Sequence, residues 1–425
     1  AFESMAVATV MPLVEQDLGD LWLYGWVFSA FFLGNLVGVV VAGSAADRMR
    51  PALPFGSGLA LFSLGLIVGG AASSMPMLVS GRLLQGLGAG AMPAISYVCI
   101  GRGYQPASRA RMFALMSSAW VIPSVAGPAL AGVVGATVGW RWVFLGLLPL
   151  CGVIGLVALL GVRTIGAPEE VAGPSNVMPA IAVAAGAGLL LAGLDVRSIL
   201  LAAALLVPGI AVLIPAFRRL TPAGTLSARP GLPATVLVRG LLGFGFFAAD
   251  AYVPYAITTE RGLPATVGGL ALTTATFTWT IASWMQARWV DRSGPRRLVV
   301  AGLLIIGCGS LSLLAVLLPA IPAWIGLVSW AIGGFGIGLA FAPLSLVTLA
   351  VAPAGEEGRA TAGLQLSDML GTALGTGVAG ALVSFGATTL DSTTTGLVLV
   401  FLAAAGVSFL GAGVGRRVPD TIVHA

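Results

Sequence analysis

Charged side chains are scarce in this sequence. Only 9% of its 425 residues are charged, whereas 58% are hydrophobic and the mean hydropathy is +1.01. Soluble globular domains carry about 25% charged residues. The scarcity therefore excludes a soluble protein and predicts that most of the chain lies in a lipid bilayer. Lysine is absent, so all 21 basic residues are arginine.

Cysteine and histidine are almost as rare. Cys99, Cys151 and Cys308 are far apart in or beside apolar runs, and the single histidine is His424. These spacings exclude a disulfide framework and a metal site built on Cys or His. No nucleophile–base pair is visible and the loops are short. We therefore expect no enzyme activity, no catalytic residue, no bound metal and no cofactor.

Long apolar runs fill the rest of the chain. Runs of roughly 17–27 residues are long enough to cross a bilayer as helices. The first run is shorter, so we expect the sequence to begin partway through a transmembrane helix, with a cleaved signal peptide as the alternative. Helices 7 and 8 are separated only by "LDVRS", which leaves a re-entrant hairpin open. The sequence predicts fourteen helices, at 1–14, 23–44, 53–73, 76–100, 112–136, 142–161, 176–194, 198–216, 233–258, 265–287, 298–318, 323–350, 360–385 and 395–415.

The arginines are distributed unevenly among the predicted loops. Sixteen lie in loops that follow even-numbered helices, among them Arg109 and Arg111, and only three lie in the others. Because cytoplasmic loops carry the excess of positive charge, both termini are predicted to be cytoplasmic. We expect a multi-pass protein of the inner (cytoplasmic) cell membrane. The high pI of about 9.6 is then a sign of topology, and no nucleic-acid partner is expected.

Two features of the sequence repeat at a similar spacing. Asp47-Arg48 and Asp291-Arg292 are 244 residues apart, and two series of alternating glycines, which begin at Gly86 and Gly334, are 248 apart. The repeat predicts two six-helix halves with two helices inserted between them. The corresponding domains are an N-terminal bundle at 1–161, two linker helices at 162–229 and a C-terminal bundle at 230–425.

Several motifs together resemble one family. "FESMAVATVMP" looks like an acid-containing first-helix motif, "GSAADRMRP" like the loop motif after helix 2, and "RLLQGLGAGAMPA" like a helix 4 motif. "PSVAGPALAG" looks like the helix 5 antiporter motif, with "WRWVF" after it. The chain is thus similar to the major facilitator superfamily, in particular to its fourteen-helix drug:proton antiporters. The resemblance implies that superfamily's fold and favours export over uptake.

The resemblance also implies residues that control conformation. Gly127 and Gly132 allow close approach of a neighbouring helix, while Pro128 removes a backbone donor. A tight contact of this kind opens and closes as the two halves rock. Asp47 is expected to cap helix 13, with Arg48 beside it and Asp291 and Arg292 in the repeat. Ordinary packing and topology anchoring are the alternatives.

Five ionisable residues lie within the predicted spans, where such residues are costly and usually functional. At 1.5 Å rise per residue, Glu3, Arg82 and Asp250 lie roughly 13, 9 and 12 Å below the outer ends of their helices. A shared acid–base cluster is therefore possible. Asp368 belongs to a polar stripe with Gln365 near the cytoplasmic side. Arg239 is interpreted as snorkelling to the headgroups.

A carboxylate in a low-dielectric site exchanges protons readily and attracts cations. We therefore assign proton coupling to Glu3, Arg82, Asp250 and Asp368, and leave open which of Glu3 and Asp250 carries the proton. Expected substrate-binding residues are Glu3, Gln85, Phe246, Phe247, Asp250, Tyr252 and Gln365. The alternative is that the phenylalanines face lipid and that Tyr252 and Tyr255 form an interfacial belt. Trp279, Trp284 and Trp330 are interpreted as packing or lipid-facing residues.

The expected function is proton-coupled export of small lipophilic molecules, cationic ones in particular, by a monomer that contacts only the bilayer and its substrates. Protons are the coupling ion. Export of an endogenous lipid or metabolite, uptake by symport, and a receptor or channel remain alternatives.

Overall fold

The computed structural model describes residues 2–105, 108, 112, 121–166, 176–353 and 356–420. Arg109, Arg111, His424 and much of the first half of predicted helix 5 lie outside this set. All regular secondary structure in the described residues is helical, and the number of helices confirms the predicted fourteen. They are α1 Phe2–Leu18, α2 Tyr24–Ala46, α3 Ala52–Gly70, α4 Met75–Gly103, α5 Val121–Thr137, α6 Arg141–Val162, α7 Val177–Asp195, α8 Ile199–Leu220, α9 Leu232–Glu260, α10 Ala265–Ser293, α11 Pro295–Leu317, α12 Ile325–Val351, α13 Glu357–Thr389 and α14 Thr393–Gly415.

Eleven helices in the described part of the chain are long and apolar enough to cross a membrane. The other three are α1, α5 and α10. α1 has 17 residues and α5 is described from Val121, whereas α10 has 29 residues but carries six threonines that lower its hydropathy. Both α7, with 19 residues, and α8, with 22, are long enough to span.

Two helices predicted to be continuous are interrupted. α6 consists of Arg141–Leu145 and Leu148–Val162, and Pro149 lies in the first turn of the second piece. α9 is α-helical as far as Asp250 and ends in the π-helix Ala256–Glu260. Pro254 has no N–H to donate to the carbonyl of Asp250, so the regular helix stops there. The break places Asp250 at the end of a helical segment.

The packing partners repeat eight helices apart. In the first part, α4 packs on α2 and α3, α1 on α5, and α3 on α6. In the last part, α12 packs on α10 and α11, α9 on α13, and α11 on α14. We refer to α1–α6 as the N-terminal group and to α9–α14 as the C-terminal group. The α7–α8 hairpin packs on one helix of each, α2 and α13.

Alternating glycines make the closest helix contacts in both groups. They are Gly86, Gly88 and Gly90 on α4 and Gly334, Gly336 and Gly338 on α12. The first and third of each set face the backbone of α2 or α10, whereas the second faces α3 or α11. A Cβ atom at any of these positions would overlap a neighbouring backbone. The glycines therefore bring three helices together in each group.

The two groups meet closely at one end of the bundle. We call the end that holds the loops after even-numbered helices the arginine-rich end, and the opposite one the arginine-poor end. At the arginine-poor end, Gly25 of α2 lies against Gly380 of α13, and Gly132 of α5 lies against Thr266 of α10. The tyrosine hydroxyl of Tyr24 also donates to the carbonyl of Ala251, at 3.4 Å. The structure is therefore closed between the groups at this end.

Candidate transport site

A buried ion pair joins α1 to α4. Arg82, which is 1% exposed, donates from Nη1 to Oε1 of Glu3 and, at 2.6 Å, to Oε1 of Gln85. Its Nε donates to the carbonyl of Val27 at 3.1 Å, and its guanidinium lies 4.3 Å from the ring centre of Phe31. Arg82 is thus the counter-ion of Glu3, so two members of the possible acid–base cluster lie in contact.

Two polar atoms of this ion pair have no hydrogen-bond partner among the described residues. They are the second carboxylate oxygen of Glu3, Oε2, and the amide nitrogen of Gln85, Nε2. Buried polar atoms usually have partners. The site therefore keeps one free acceptor and one free donor beside the ion pair.

Asp250 has a different partner. Its Oδ1 accepts a hydrogen bond from the indole nitrogen of Trp330 at 2.7 Å, and the residue is 5% exposed. No salt bridge to Asp250 occurs within the part of the chain that the structure describes. The structure therefore brings Glu3 and Arg82 together but pairs Asp250 with Trp330 instead of completing a cluster of three.

A small cavity of about 20 Å³ lies beside Asp250, with room for about one water molecule. Its walls come from both groups, since α1 and α2 contribute one side and α9 and α13 the other. They include Ala8, Phe28, Phe32, Phe247, Asp250 and Thr376. The carboxylate therefore lies at the boundary between the two groups, next to three phenylalanines.

The aromatic residues of α9 are buried. Phe246 stacks on Trp330 with ring centres 4.8 Å apart, and Tyr252 packs against Tyr24 at 4.8 Å. Phe246, Tyr252 and Tyr255 are all at most 2% exposed. The alternative of lipid-facing and interfacial rings is therefore wrong for these three residues. Phe246 is covered by Trp330 and Tyr252 by Tyr24, while Phe247 faces the cavity.

Arg239 is also buried, and its interpretation as a snorkelling residue is wrong. Its side chain is 2% exposed, and Nε lies 3.1 Å from Oδ1 of Asp368 on α13. Nη1 donates to the carbonyl of Phe341 at 2.8 Å, and the guanidinium lies 3.2 Å from the ring centre of the same residue. The ion pair and the ring hold Arg239 inside the C-terminal group. Gln365 lies one turn before Asp368 and is half-buried.

The residues expected to control conformation lie at both ends of the bundle. At the arginine-rich end, Asp47 forms a salt bridge with Arg102 of α4, at 3.4 Å. Among the described residues, no side chain caps the first turn of α13, so the predicted cap by Asp47 is not present there. Arg48 there, and Asp291 and Arg292 at the end of α10, are exposed. At the other end, Gly127 and Pro128 are buried and Gly132 faces α10.

Sequence reasoning missed Trp330, because tryptophans are common in membrane helices and were left unassigned. A signal was present: Trp330 stands four residues before Gly334, as Arg82 stands four residues before Gly86. No cluster of His, Cys, Asp and Glu able to hold a metal occurs among the described residues.

The sequence matches the family model described as Major Facilitator Superfamily over residues 1–217 and 235–421. It is 27% identical to the multidrug transporter protein MdtP of Bacillus subtilis, over 90% of this chain and 73% of that protein. It is 28% identical to a probable multidrug-efflux transporter of Mycobacterium tuberculosis, over 97% of this chain and 91% of that protein. An auto-inhibited POT family peptide transporter has a similar structure, with a TM-score of 0.69 and 14% identity over 98% of this chain and 94% of its own. The family model matches most of this sequence, which shows that the chain belongs to the Major Facilitator Superfamily of multi-pass membrane transporters.

Proposed function

We propose that this protein is a fourteen-helix drug:proton antiporter that exports small lipophilic molecules, cationic ones in particular, across the inner cell membrane. The names of the Bacillus subtilis and Mycobacterium tuberculosis relatives support drug export. The excess of arginine at one end supports cytoplasmic loops and termini there. Protons are the coupling ion, and neither a metal nor an organic cofactor takes part.

The observation that carries the proposal is the buried contact between Glu3 and Arg82. A buried ion pair loses most of its attraction when the carboxylate is protonated, because only one charge remains. A proton that reaches Glu3 therefore frees Arg82 to move relative to α1. Deprotonation restores the pair, so the occupancy of Glu3 by a proton can be linked to the arrangement of α1 and α4.

The same arrangement supports alternating access. We propose that α1–α6 and α9–α14 are two six-helix halves that rock about the central site, with α7 and α8 inserted between them. The close contacts of Gly132 with Thr266 and of Gly25 with Gly380 then close the outer side in the inward-facing state. Asp47, Arg48, Asp291 and Arg292 act at the cytoplasmic side.

The proton gradient supplies enough energy for useful export. One proton moving through about 150 mV yields roughly 3.5 kcal/mol. Each tenfold step of substrate gradient costs about 1.4 kcal/mol. Exchange of one proton for one uncharged molecule would thus sustain a gradient of roughly a few hundredfold. A monovalent cation leaves against the same potential, so only the pH difference drives its exchange for one proton.

The test uses purified protein in proteoliposomes with an imposed pH gradient and ethidium as the transported cation. We expect ethidium to move against the proton flow, and Glu3→Gln to abolish this exchange. Glu15→Gln is the matched control, because Glu15 lies on the same helix and takes no part in the ion pair.

Two results would contradict the proposal. Ethidium and protons moving in the same direction would identify a symporter. Exchange that persists in Glu3→Gln would show that the buried ion pair does not couple the proton to transport.

A further inference from the structure

The exposed side of α10 ends in arginines. Phe277, Ile281 and Trp284 are exposed, and Arg288 and Arg292 continue the same line towards the arginine-rich end. Because the steps between them are three or four residues, these side chains lie on one face of the helix. Apolar side chains therefore give way to a tryptophan and then to two positive charges along one exposed stripe.

α11 has a similar stripe on its own exposed side. Leu304 and Leu311 are exposed, and exposed Arg297 precedes them at the same spacing of seven residues. α11 begins directly after the short turn that ends α10. Arg297 therefore lies at the same end of the bundle as Arg288 and Arg292. We call these three residues the arginine patch.

The C-terminal segment adds positive charge beside the patch. The side chain of Arg296 holds this segment, since Nε donates to the carbonyl of Val418 at 2.7 Å and Nη1 lies 3.8 Å from Oδ2 of Asp420. Residues 288–297 and 416–420 together contain six arginines and two aspartates. The surface around the turn is therefore strongly positive.

The arginines of the patch are not neutralised by the protein. None of the three has an ion pair with an acid in the part of the chain that the structure describes. Asp291, next to Arg292 in the sequence, is exposed as well. Guanidinium groups bind phosphate oxygens with two parallel hydrogen bonds. The patch thus has the charge and the donors that suit a phosphate group.

The spacing along α10 matches the thickness of a lipid headgroup layer. At 1.5 Å per residue, Arg288 and Arg292 lie about 6 and 12 Å beyond Trp284. The headgroup layer on each side of the hydrocarbon core is roughly 5–8 Å thick, and tryptophan prefers the boundary between the two. With Trp284 at that boundary, Arg288 lies at the level of the lipid phosphates.

The other helix group does not repeat this surface. The Asp-Arg pairs of the two groups are 244 residues apart, and at this distance Ser44 and Leu53 stand where the patch has Arg288 and Arg297. The arginine patch is therefore a feature of the C-terminal group alone.

We propose that the arginine patch binds the phosphate of an anionic phospholipid, whose acyl chains lie along the exposed apolar stripes of α10 and α11. A zwitterionic phospholipid carries an ammonium group that offsets its phosphate, so it binds more weakly. The proposal goes beyond the export function and does not depend on the substrate or on the coupling ion.

Lipid binding to the purified full-length protein in detergent tests the proposal. The probes are phosphatidylglycerol and phosphatidylethanolamine with the same acyl chains, and native mass spectrometry counts the lipid molecules that stay bound. We expect phosphatidylglycerol to bind at least about tenfold more tightly than phosphatidylethanolamine. An excess of inorganic phosphate should not displace it, because free phosphate has no acyl chains.

Three variants separate the charge of the patch from its shape and from charge elsewhere. Arg288→Gln/Arg297→Gln should lower the affinity for phosphatidylglycerol by about tenfold or more, as for two lost surface charges. Arg288→Lys/Arg297→Lys keeps both charges and should retain most of the affinity. Arg48→Gln/Arg50→Gln is the matched control, since it removes two exposed arginines at the equivalent turn of the N-terminal group. It should change the affinity much less.

The proposal is overturned if phosphatidylglycerol binds no better than phosphatidylethanolamine, or if the control variant loses as much affinity as Arg288→Gln/Arg297→Gln. Displacement of the lipid by inorganic phosphate would show an anion site without a lipid surface. Binding of polyglutamate in place of phosphatidylglycerol would identify an acidic protein as the partner, and the proposal would again be wrong.

Discussion

The indole nitrogen of Trp330 lies 2.7 Å from Oδ1 of Asp250, at the position where Arg82 contacts Glu3 in the other helix group. The backbone arrangement is repeated, but the charge is not. Glu3 therefore has a counter-ion within the protein, whereas Asp250 has only a neutral donor. The two helix groups differ in this way without a difference in how their helices pack.

The glycines of α4 and α12 give a direct prediction of stability. Gly86→Ala and Gly334→Ala should each destabilise the protein by about 1–3 kcal/mol, because the added methyl group would overlap the backbone of α2 or α10. Thermal unfolding in detergent measures the effect. Gly406→Ala on α14 is the matched control, since nothing lies within 4 Å of its Cβ position. Equal stability of all three variants would contradict this account of the packing.

The contact between Glu3 and Arg82 predicts a compensating pair of substitutions. Arg82→Gln leaves the carboxylate of Glu3 buried without a counter-ion, which costs about 3–5 kcal/mol. The double variant Glu3→Gln/Arg82→Gln removes both charges and should recover most of that stability. Unfolding measurements on the two single variants and the double variant complete the cycle. Additive losses would show that the two side chains do not interact.

The second buried ion pair predicts that lysine cannot replace Arg239. The planar guanidinium contacts Asp368, the carbonyl of Phe341 and the ring of Phe341 together. A lysine ammonium has no planar face and cannot make all three contacts. Arg239→Lys should therefore lower the free energy of unfolding by about 1–3 kcal/mol. Arg288→Lys, at an exposed site on α10, is the control and should be neutral.

Hydropathy predicted the helices because a spanning segment must be apolar over its whole length. It did not predict the interruptions in α6 and α9, where a single proline removes one backbone bond within an apolar run. Hydropathy does not distinguish Pro254 from the other residues of the run, yet this proline ends the regular helix beside Asp250. Local sequence therefore gives the number of helices better than their continuity.

The partners of buried charges were harder to predict, since they lie far away in the chain. Arg239 and Asp368 are 129 residues apart, and nothing near Arg239 in the sequence shows that it has a counter-ion. The sequence suggested a cluster that contains Glu3 and Arg82 because their estimated depths in the membrane are similar. The same reasoning included Asp250, which lies at a similar depth. Depth alone does not show that Asp250 belongs to the C-terminal helix group and contacts Trp330 there.

The α7–α8 hairpin supplies a further prediction at the arginine-poor end. The indole nitrogen of Trp26 on α2 donates to Oδ2 of Asp195 on α7, at 2.7 Å. Trp26→Phe keeps the ring but removes the donor, and should cost about 1–2 kcal/mol of stability. Trp284→Phe makes the same change at an exposed position and should be neutral. A loss of the same size in both would show that the hydrogen bond contributes nothing.

The position of α7 also bears on the route that the compounds of the proposed function would take from the bilayer. Two seams run between the helix groups, one between α2 and α13 and one between α5 and α10. α7 lies across the first seam, where Leu191 fits against Gly377. The second seam has no such cover among the described residues. Under the proposed export function, a compound that entered from the lipid through the first seam would therefore have to pass α7.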